Sequence, residues 1–452
     1  MSEPATVSWL EDALAQVEAM PRFTPCGRVA RVIGQVVEGT SLPVAVGEVC
    51  RVIPDDHHGI LANVVGFYER GILLMPLDET AGIHPGAVVV PLGHTLYAHA
   101  SDRLVGRILD GLGRPMDGKG PIGPARRLPL SADPPHPLER PRVREPLGTG
   151  VRAIDGLLTL GKGQRIGIMA GSGVGKSVLM GMVARHTTAD VNVIALVGER
   201  GREVREFIER DLGPEGLKRS VVVVATSDRS AVVRATGALV ATTLAEYFRD
   251  TGRDVMLMMD SVTRVAMSWR EIGLAVGEPP TTKSYPPSVF AALPRLLERA
   301  GTAKQGSITG LYAVLVEGDD FNEPVADAAR SILDGHIVLS RRLAGERHFP
   351  AIDVLESVSR VRDQVITREH AEAANVFLQL EASHHAHEDL IAVGAYKSGA
   401  DPQVDAAIAL RPRTQAFLRQ AADEASSLDE VRTRLRELAA LAAAPPPPGD
   451  GP

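Results

Sequence analysis

The segment Ala170–Ser177 reads AGSGVGKS, with three glycines, a lysine and two serine hydroxyls in eight residues. It follows the apolar run RIGIM (165–169) and opens the stretch KSVLMGMVAR, whose composition is helical. A strand, a glycine-rich turn and a helix in that order make a phosphate cradle. The glycines let backbone N–H groups converge on phosphate oxygens, and the helix N-terminus adds its dipole. Ala170, Gly171, Ser172, Gly173, Val174, Gly175, Lys176 and Ser177 are therefore the expected contacts for ATP. Lys176 reaches the β- and γ-phosphates, and the Ser177 hydroxyl is a Mg²⁺ ligand. The strict pattern begins with glycine; Ala170 holds a place that needs only a small residue. A dinucleotide fingerprint would need a third glycine where Lys176 stands.

Phosphoryl transfer to water also needs a metal ligand, a group that aims the water, and positive charge beyond the γ-phosphate. The run VMLMMD ends in Asp260, a carboxylate at the C-terminal edge of a buried strand and a second Mg²⁺ ligand. Glu199 stands just past the run VNVIALV, where ligands gather in open α/β sheets. It is placed to orient or deprotonate the attacking water. Its neighbours Arg200, Arg202 and Glu203 also read as an exposed, self-paired charge run.

The elements that must position these groups follow from texture. The chain has 452 residues and a net charge of −7, with 44% hydrophobic and 23% charged residues. That is a soluble globular composition of two to three domains, without the basic footprint of a dedicated nucleic-acid binder. Two cysteines, Cys26 and Cys50, argue against a disulfide framework and for a reducing compartment. No apolar run reaches the ~20 residues of a membrane span, and the first residues lack a secretory pattern, so the cytosol is expected.

Residues 8–20, SWLEDALAQVEAM, are spaced as a short amphipathic helix capped by Ser8, folded back on its own domain or docking a partner. Short apolar runs between 23 and 95 indicate a small barrel, with a tight hairpin around Gly71. The proline-rich stretch ending at Pro146 reads as an extended surface connector. Beyond it, continuous apolar runs (165–169, 191–197, 220–226, 255–260, 311–316, 336–340) alternate with helical stretches and describe a parallel sheet wrapped by helices. After about 370 the chain turns helical and polar, and it ends in a disordered PPPPGDGP tail.

The stretch FPAIDVLESVSR (349–360) resembles the signature of rotary ATPase catalytic and regulatory subunits. GERGREVREF, GEPPTTKSYPPSVFAALPRLLERAG and VEGDDFNEPVADAARSILDGHIVLSR resemble the export branch, the hexameric ATPases of flagellar and injectisome type III secretion. The resemblance spans about residues 23–435. It implies a small N-terminal β-barrel, a central α/β RecA-like P-loop domain with a mostly parallel sheet, and a C-terminal α-helical domain. The implied divisions are 1–22, 23–95, 96–370 and 371–452. It further implies that Glu199 is the catalytic carboxylate and Asp260 the Walker B acid. Arg360 becomes the arginine finger that enters a neighbouring subunit's site, and Phe349 the ring that stacks on adenine. Arg200 and Arg264 match arginines near the phosphates. Implied partners are further copies in a homohexamer, a stator-like regulator docked by the N-terminal helix, a central stalk protein, the export gate, and export chaperones and substrates. The implied location is the cytoplasmic face of the inner membrane. AGSGVGKS and GLGRPMDGKGP favour the flagellar branch over the injectisome.

Other readings are weaker. A ring RNA translocase needs a basic or aromatic platform that the acidic balance does not offer. A proton-coupled synthase subunit is disfavoured by EGDD, by GHIVLSR and by a short C-terminal region. A subunit that binds ATP without hydrolysis is disfavoured by Glu199. The histidines of SHHAHED (His384, His385, His387) suit a solvated helix start better than a zinc site.

Overall fold

The computed structural model describes residues 24–54, 59–316 and 323–443. The amphipathic stretch 8–20, the EGDD at 317–320 and the PPPPGDGP tail lie outside the described residues. The chain separates into two compact units with the boundary between Leu96 and Tyr97.

In the first unit, six strands close into an antiparallel barrel: β1 (Gly27–Ile33), β2 (Val36–Thr40), β3 (Glu48–Ile53), β4 (Ile60–Tyr68), β5 (Gly71–Pro76) and β6 (Val88–Thr95). The order is β1-β2-β5-β4-β3-β6, and β6 returns to β1. Alternating apolar residues such as Val37, Cys50, Val52, Ala62, Val64, Leu74 and Val89 fill the interior, as closure requires. The hairpin near Gly71 is present, with Tyr68 paired to Gly71. The glycine is required for another reason: a Cβ there would lie 1.9 Å from the carbonyl oxygen of Gly39 on β2.

The second unit is built on a sheet of β7 (Ile108–Asp110), β8 (Arg165–Ala170), β9 (Val191–Val197), β10 (Ser220–Ala225), β11 (Asp254–Asp260), β12 (Ser307–Leu315), β13 (Gly335–Leu339) and β14 (Ile352–Ser359). Their spatial order is β14-β13-β8-β12-β11-β9-β10-β7. All neighbours run parallel except β14, which is antiparallel to β13. The runs expected from sequence form the six inner strands. The two outermost strands, β7 and β14, were not expected as strands. β8 and β9 are buried on both faces almost throughout, which is why their sequences are continuously apolar.

The main helices of the catalytic region are α1 (Lys176–His186), α2 (Gly201–Glu206), α3 (Ala231–Asp250) and α4 (Val262–Ala275). The stretch GREVREFIERDL is not one α-helix: α2 passes at Phe207 into a π-helical turn that ends at Leu212. The proline-rich surface connector is anchored to the second unit. Arg140 donates from Nη1 to the Ala300 carbonyl at 2.8 Å, and Pro146–Leu147 pairs with Leu160–Gly161.

The C-terminal region is built on the long helices α5 (Arg368–Ala386), α6 (Pro402–Leu418) and α7 (Leu428–Ala443), with a short helix Glu388–Ala392 between the first two. Phe377, Phe417, Val431 and Leu435 join the core that also holds Ile154 and Leu157. Gly156 makes this contact possible, because a Cβ there would come within 2.9 Å of Phe417, 3.0 Å of Val431 and 3.1 Å of Leu435. Of the histidines of SHHAHED, His384 and His385 lie in the last turn of α5, and His387 both ends α5 and stands at the N-cap of the short helix Glu388–Ala392. The physical reason is local. Thr367 provides the N-cap of α5, accepting from the His370 N–H, and imidazoles suit the negative end of a helix dipole.

Candidate active site

β8 delivers the chain to the loop 171–175 at the C-terminal edge of the sheet, and α1 begins at Lys176. The turn is made by Gly173 (φ 78°) and Gly175 (φ 95°), both in the left-handed region that glycine tolerates. Gly175 is the residue before α1, and no side chain caps the helix. The first N–H groups of α1 therefore have neither an intrahelical partner nor a side-chain cap, the arrangement that receives an anion.

Lys176 leads into a buried cluster of charge. Its ammonium is ion-paired with Asp260 and lies 3.6 Å from Glu199 Oε1. Asp260 ends β11 and is only 3% exposed. Glu199 follows β9, which pairs directly with β11 through Leu196 and Asp260. The parallel strands β8, β11 and β9, with β12 between the first two, thus bring residues 176, 199 and 260 to one edge. The Glu199 backbone is held from the next strand as well, its carbonyl accepting from the Ser227 N–H at 3.0 Å.

The electrostatics follow from burial. Desolvation, then the charge of Asp260, push the Glu199 carboxyl up to about 7 against the pull of Lys176, and a hydrogen bond with Glu203 adds to the rise. Glu203 is held low, chiefly by that same hydrogen bond. Burial opposes the charge on Lys176, but Asp260 and Glu199 outweigh it and hold the amine above its ordinary value. A buried carboxyl near neutrality beside a fixed cation suits a group that exchanges a proton at physiological pH.

Arg264 packs against Gly198, the residue before Glu199. Ser261 caps α4, accepting from the Arg264 N–H, and Gly198 (φ 74°) leaves room for the arginine stem: a Cβ at 198 would meet Arg264 Cβ at 2.8 Å. The buried Nε of Arg264 has no partner among the described residues. Arg200, by contrast, turns outward. Its side chain is 82% exposed and lies 3.5 Å from Glu203.

The signature FPAIDVLESVSR forms the edge strand β14 and the residues flanking it. Ser357 stitches it to β13, accepting from the Val338 N–H at 2.9 Å and donating to the Asp353 carbonyl. Ser359 accepts from Gln164 Nε2 at 3.1 Å. Phe349 precedes the strand at the phosphate-loop edge, where its ring faces the position a Gly175 Cβ would take, at 3.8 Å. Arg360 follows the strand at the opposite edge, exposed, its N–H donating to the Asp334 carbonyl at 2.9 Å. No ion pair engages Arg360 among the described residues.

The donor set fits a polyphosphate and a hard divalent ion: uncapped N–H groups, a buried ammonium, an unpartnered arginine Nε, the Ser177 hydroxyl and the Asp260 carboxylate.

The ATP synthase alpha/beta family matches with its beta-barrel domain over residues 29–93 and its nucleotide-binding domain over 150–359. The T3SS EscN ATPase C-terminal domain matches over 366–437. The flagellum-specific ATP synthase of Bacillus subtilis is 54% identical over 433 residues, 95% of this chain and 98% of that one. The chain belongs to the flagellar and type III secretion ATPase family. The type 3 secretion system ATPase of Xanthomonas euvesicatoria is 49% identical, over 95% of this chain and 96% of that one. The assembled ATPase EscN of enteropathogenic E. coli superposes with a TM-score of 0.87 at 45% identity, covering 91% of this chain and all of the other. This family member thus has the expected three-part fold and is an ATPase.

Sequence reasoning brought together residues that neighbouring strands align, because each sits at a strand end. It passed over Glu203, which it read only as surface charge. It also passed over Arg152 and Gln420, which meet behind Phe349 from positions 268 residues apart. No local pattern marks that pair.

Proposed function

We propose that this ATPase hydrolyses MgATP in a pocket shared by two subunits of a homohexamer and energises type III protein export, in the flagellar branch rather than the injectisome. The observation that carries the reading is the convergence of Lys176, Glu199 and Asp260 at the mouth of the phosphate loop, with Arg360 at the far end of the sheet. Residues 170–177 cradle the triphosphate, and the Phe349 ring covers the adenine. Ser177 and Asp260 would hold Mg²⁺, which supplies charge neutralisation at the β- and γ-oxygens.

Glu199 orients a water in line with the γ-phosphorus and accepts its proton as the new P–O bond forms. The bond to the β-γ bridging oxygen breaks, and the leaving ADP keeps that electron pair under Lys176. Arg264 steadies the phosphate oxygens. Arg360 from the adjacent subunit matches the charge that develops in the transition state, so turnover depends on assembly.

The flagellar preference rests on the segments AGSGVGKS and GLGRPMDGKGP; the flagellum-specific relative of Bacillus subtilis is 54% identical and the type 3 secretion relative of Sinorhizobium fredii 50%. We divide the chain into an N-terminal segment (1–22), a barrel (23–95), an ATPase domain (96–370) and a helical domain (371–452). EscN was also solved in complex with its central stalk EscO, at a TM-score of 0.85 to this chain, and a central stalk protein is the partner we assign first. A stator-like regulator, the export gate, and export chaperones and substrates complete the partners at the cytoplasmic face of the inner membrane. No helix among the described residues is long and apolar enough to cross a membrane.

The test is phosphate release by the purified chain. Hydrolysis should require Mg²⁺, cease with chelator and be lost in Lys176→Ala; activity that survives both treatments would refute the reading.

A further inference from the structure

Backbone hydrogen bonds fix Phe349 and the residues on either side of it. The His348 N–H donates to the Leu343 carbonyl at 2.9 Å, and the Ser340 N–H donates to the Ala351 carbonyl at 2.8 Å. The carbonyl of Phe349 itself accepts from the N–H of Gln420, at 2.9 Å. The first two contacts lie within the same stretch of chain. The third comes from the connector between α6 and α7, in the C-terminal helical region.

That connector is fixed from the nucleotide-binding side. The Gln420 side chain, 5% exposed, donates from Nε2 to the carbonyls of Gly150 (2.7 Å) and Glu424 (2.8 Å). Its Oε1 accepts from the Arg152 N–H at 2.8 Å. Arg152, 2% exposed, donates from Nε to the Phe417 carbonyl at 2.9 Å and from Nη2 to the Arg419 carbonyl. Its Nη1 pairs with Glu424. Gly150 can present its carbonyl there only as glycine: its φ is 77°, and a Cβ would lie 2.4 Å from His186 Cβ. A buried arginine and a buried amide with this many satisfied contacts fix a loop in one geometry.

We infer that Gln420, clamped by Arg152 and Gly150, is a positioning residue for the base end of the nucleotide site: it sets where the Phe349 ring stands. This rests on the reading of Phe349 as the adenine platform. Stacking depends on ring placement, whereas the phosphates are received by the loop 171–175 and the first turn of α1; only the far end of α1, through Arg185 to the Ala422 carbonyl and His186 beside Gly150, meets the connector. Loosening the tether therefore weakens recognition of the base and leaves recognition of the phosphates alone.

The test is calorimetric binding to the full chain, with ADP and with inorganic triphosphate as probes. Phe349→Ala should weaken ADP roughly tenfold and Gln420→Ala about three- to tenfold, the range of a single aromatic stacking contact. Neither should change triphosphate affinity. The double variant should bind ADP as Phe349→Ala does, because the tether acts through the ring. Glu424→Ala, whose side chain is 40% exposed, frees one arm of Arg152 and should show a smaller loss of the same kind; it decides the matter if Gln420→Ala does not fold. Unchanged ADP binding in Gln420→Ala and Glu424→Ala, additive losses in the double variant, or a parallel loss of triphosphate binding would each overturn the tether. Unchanged ADP binding in Phe349→Ala would instead remove the adenine platform itself, and the tether with it.

Discussion

Phe349 and Arg360 flank the two ends of one edge strand, β14, and so lie at opposite edges of the sheet. The register makes this unavoidable. Leu339, at the phosphate-loop edge, pairs with Ile352, while Gly335, at the other edge, pairs with Ser359. Eight extended residues separate the two ends by roughly 25 Å. An arginine that far along the strand cannot reach the phosphates beside Lys176 of its own chain. In the function proposed above, the signature therefore serves two pockets: its aromatic end the subunit's own nucleotide, and its cationic end a neighbour's.

Glu199→Gln keeps the shape of the side chain and removes its basicity. ATP binding and assembly should persist while steady-state turnover falls at least about 10²-fold, the scale of losing a general base. Single-turnover phosphate release at saturating ATP checks this, and a near-normal rate would remove Glu199 from the mechanism.

The same carboxyl predicts a pH dependence. Burial and Asp260 raise Glu199 to about 7, and the group acts as a base only when ionised. The value of kcat/KM should therefore rise with pH between about pH 6 and pH 8 and then level. Glu203 contributes to the elevation through its hydrogen bond, so Glu203→Gln should move the rise to lower pH. A profile flat across that window, or a shift to higher pH in Glu203→Gln, would contradict the assignment.

Gly198→Ala adds one methyl to a residue at φ 74° and drives it to 2.8 Å from the Arg264 stem. Left-handed strain and overpacking act together here, at a cost of about 1–3 kcal/mol. Thermal unfolding should begin several degrees lower, and turnover should drop because Glu199 and Arg264 both shift. An unchanged melting curve would mean that the loop relaxes freely.

What could be read from the sequence was what is local. The phosphate loop needs only a strand, a turn and a helix in succession, and the inner strands announce themselves by unbroken apolar runs. Asp260 and Glu199 were legible because strand ends are where parallel sheets gather ligands. β7 escaped notice because it has three residues, and β14 because its exposed positions, Leu355, Glu356 and Val358, interrupt any apolar run. The anchoring of the proline-rich connector left no local mark, because the Ala300 carbonyl that receives Arg140 lies 160 residues away. Gln420 carries no motif; its role exists only once α6 and α7 have folded against Gly156.

The shared pocket is the central claim, and complementation between two inactive variants tests it most directly. Lys176→Ala lacks its own phosphate grip but retains Arg360; Arg360→Ala has an intact grip but offers no finger. Each alone should be inactive, the second by about 10³-fold or more. Mixed under assembling conditions, some interfaces join an intact pocket to an intact finger, and phosphate release should return to a sizeable fraction of the unmodified rate. A mixture as inactive as its two components, or an Arg360→Ala protein that hydrolyses ATP at the unmodified rate by itself, would contradict the account.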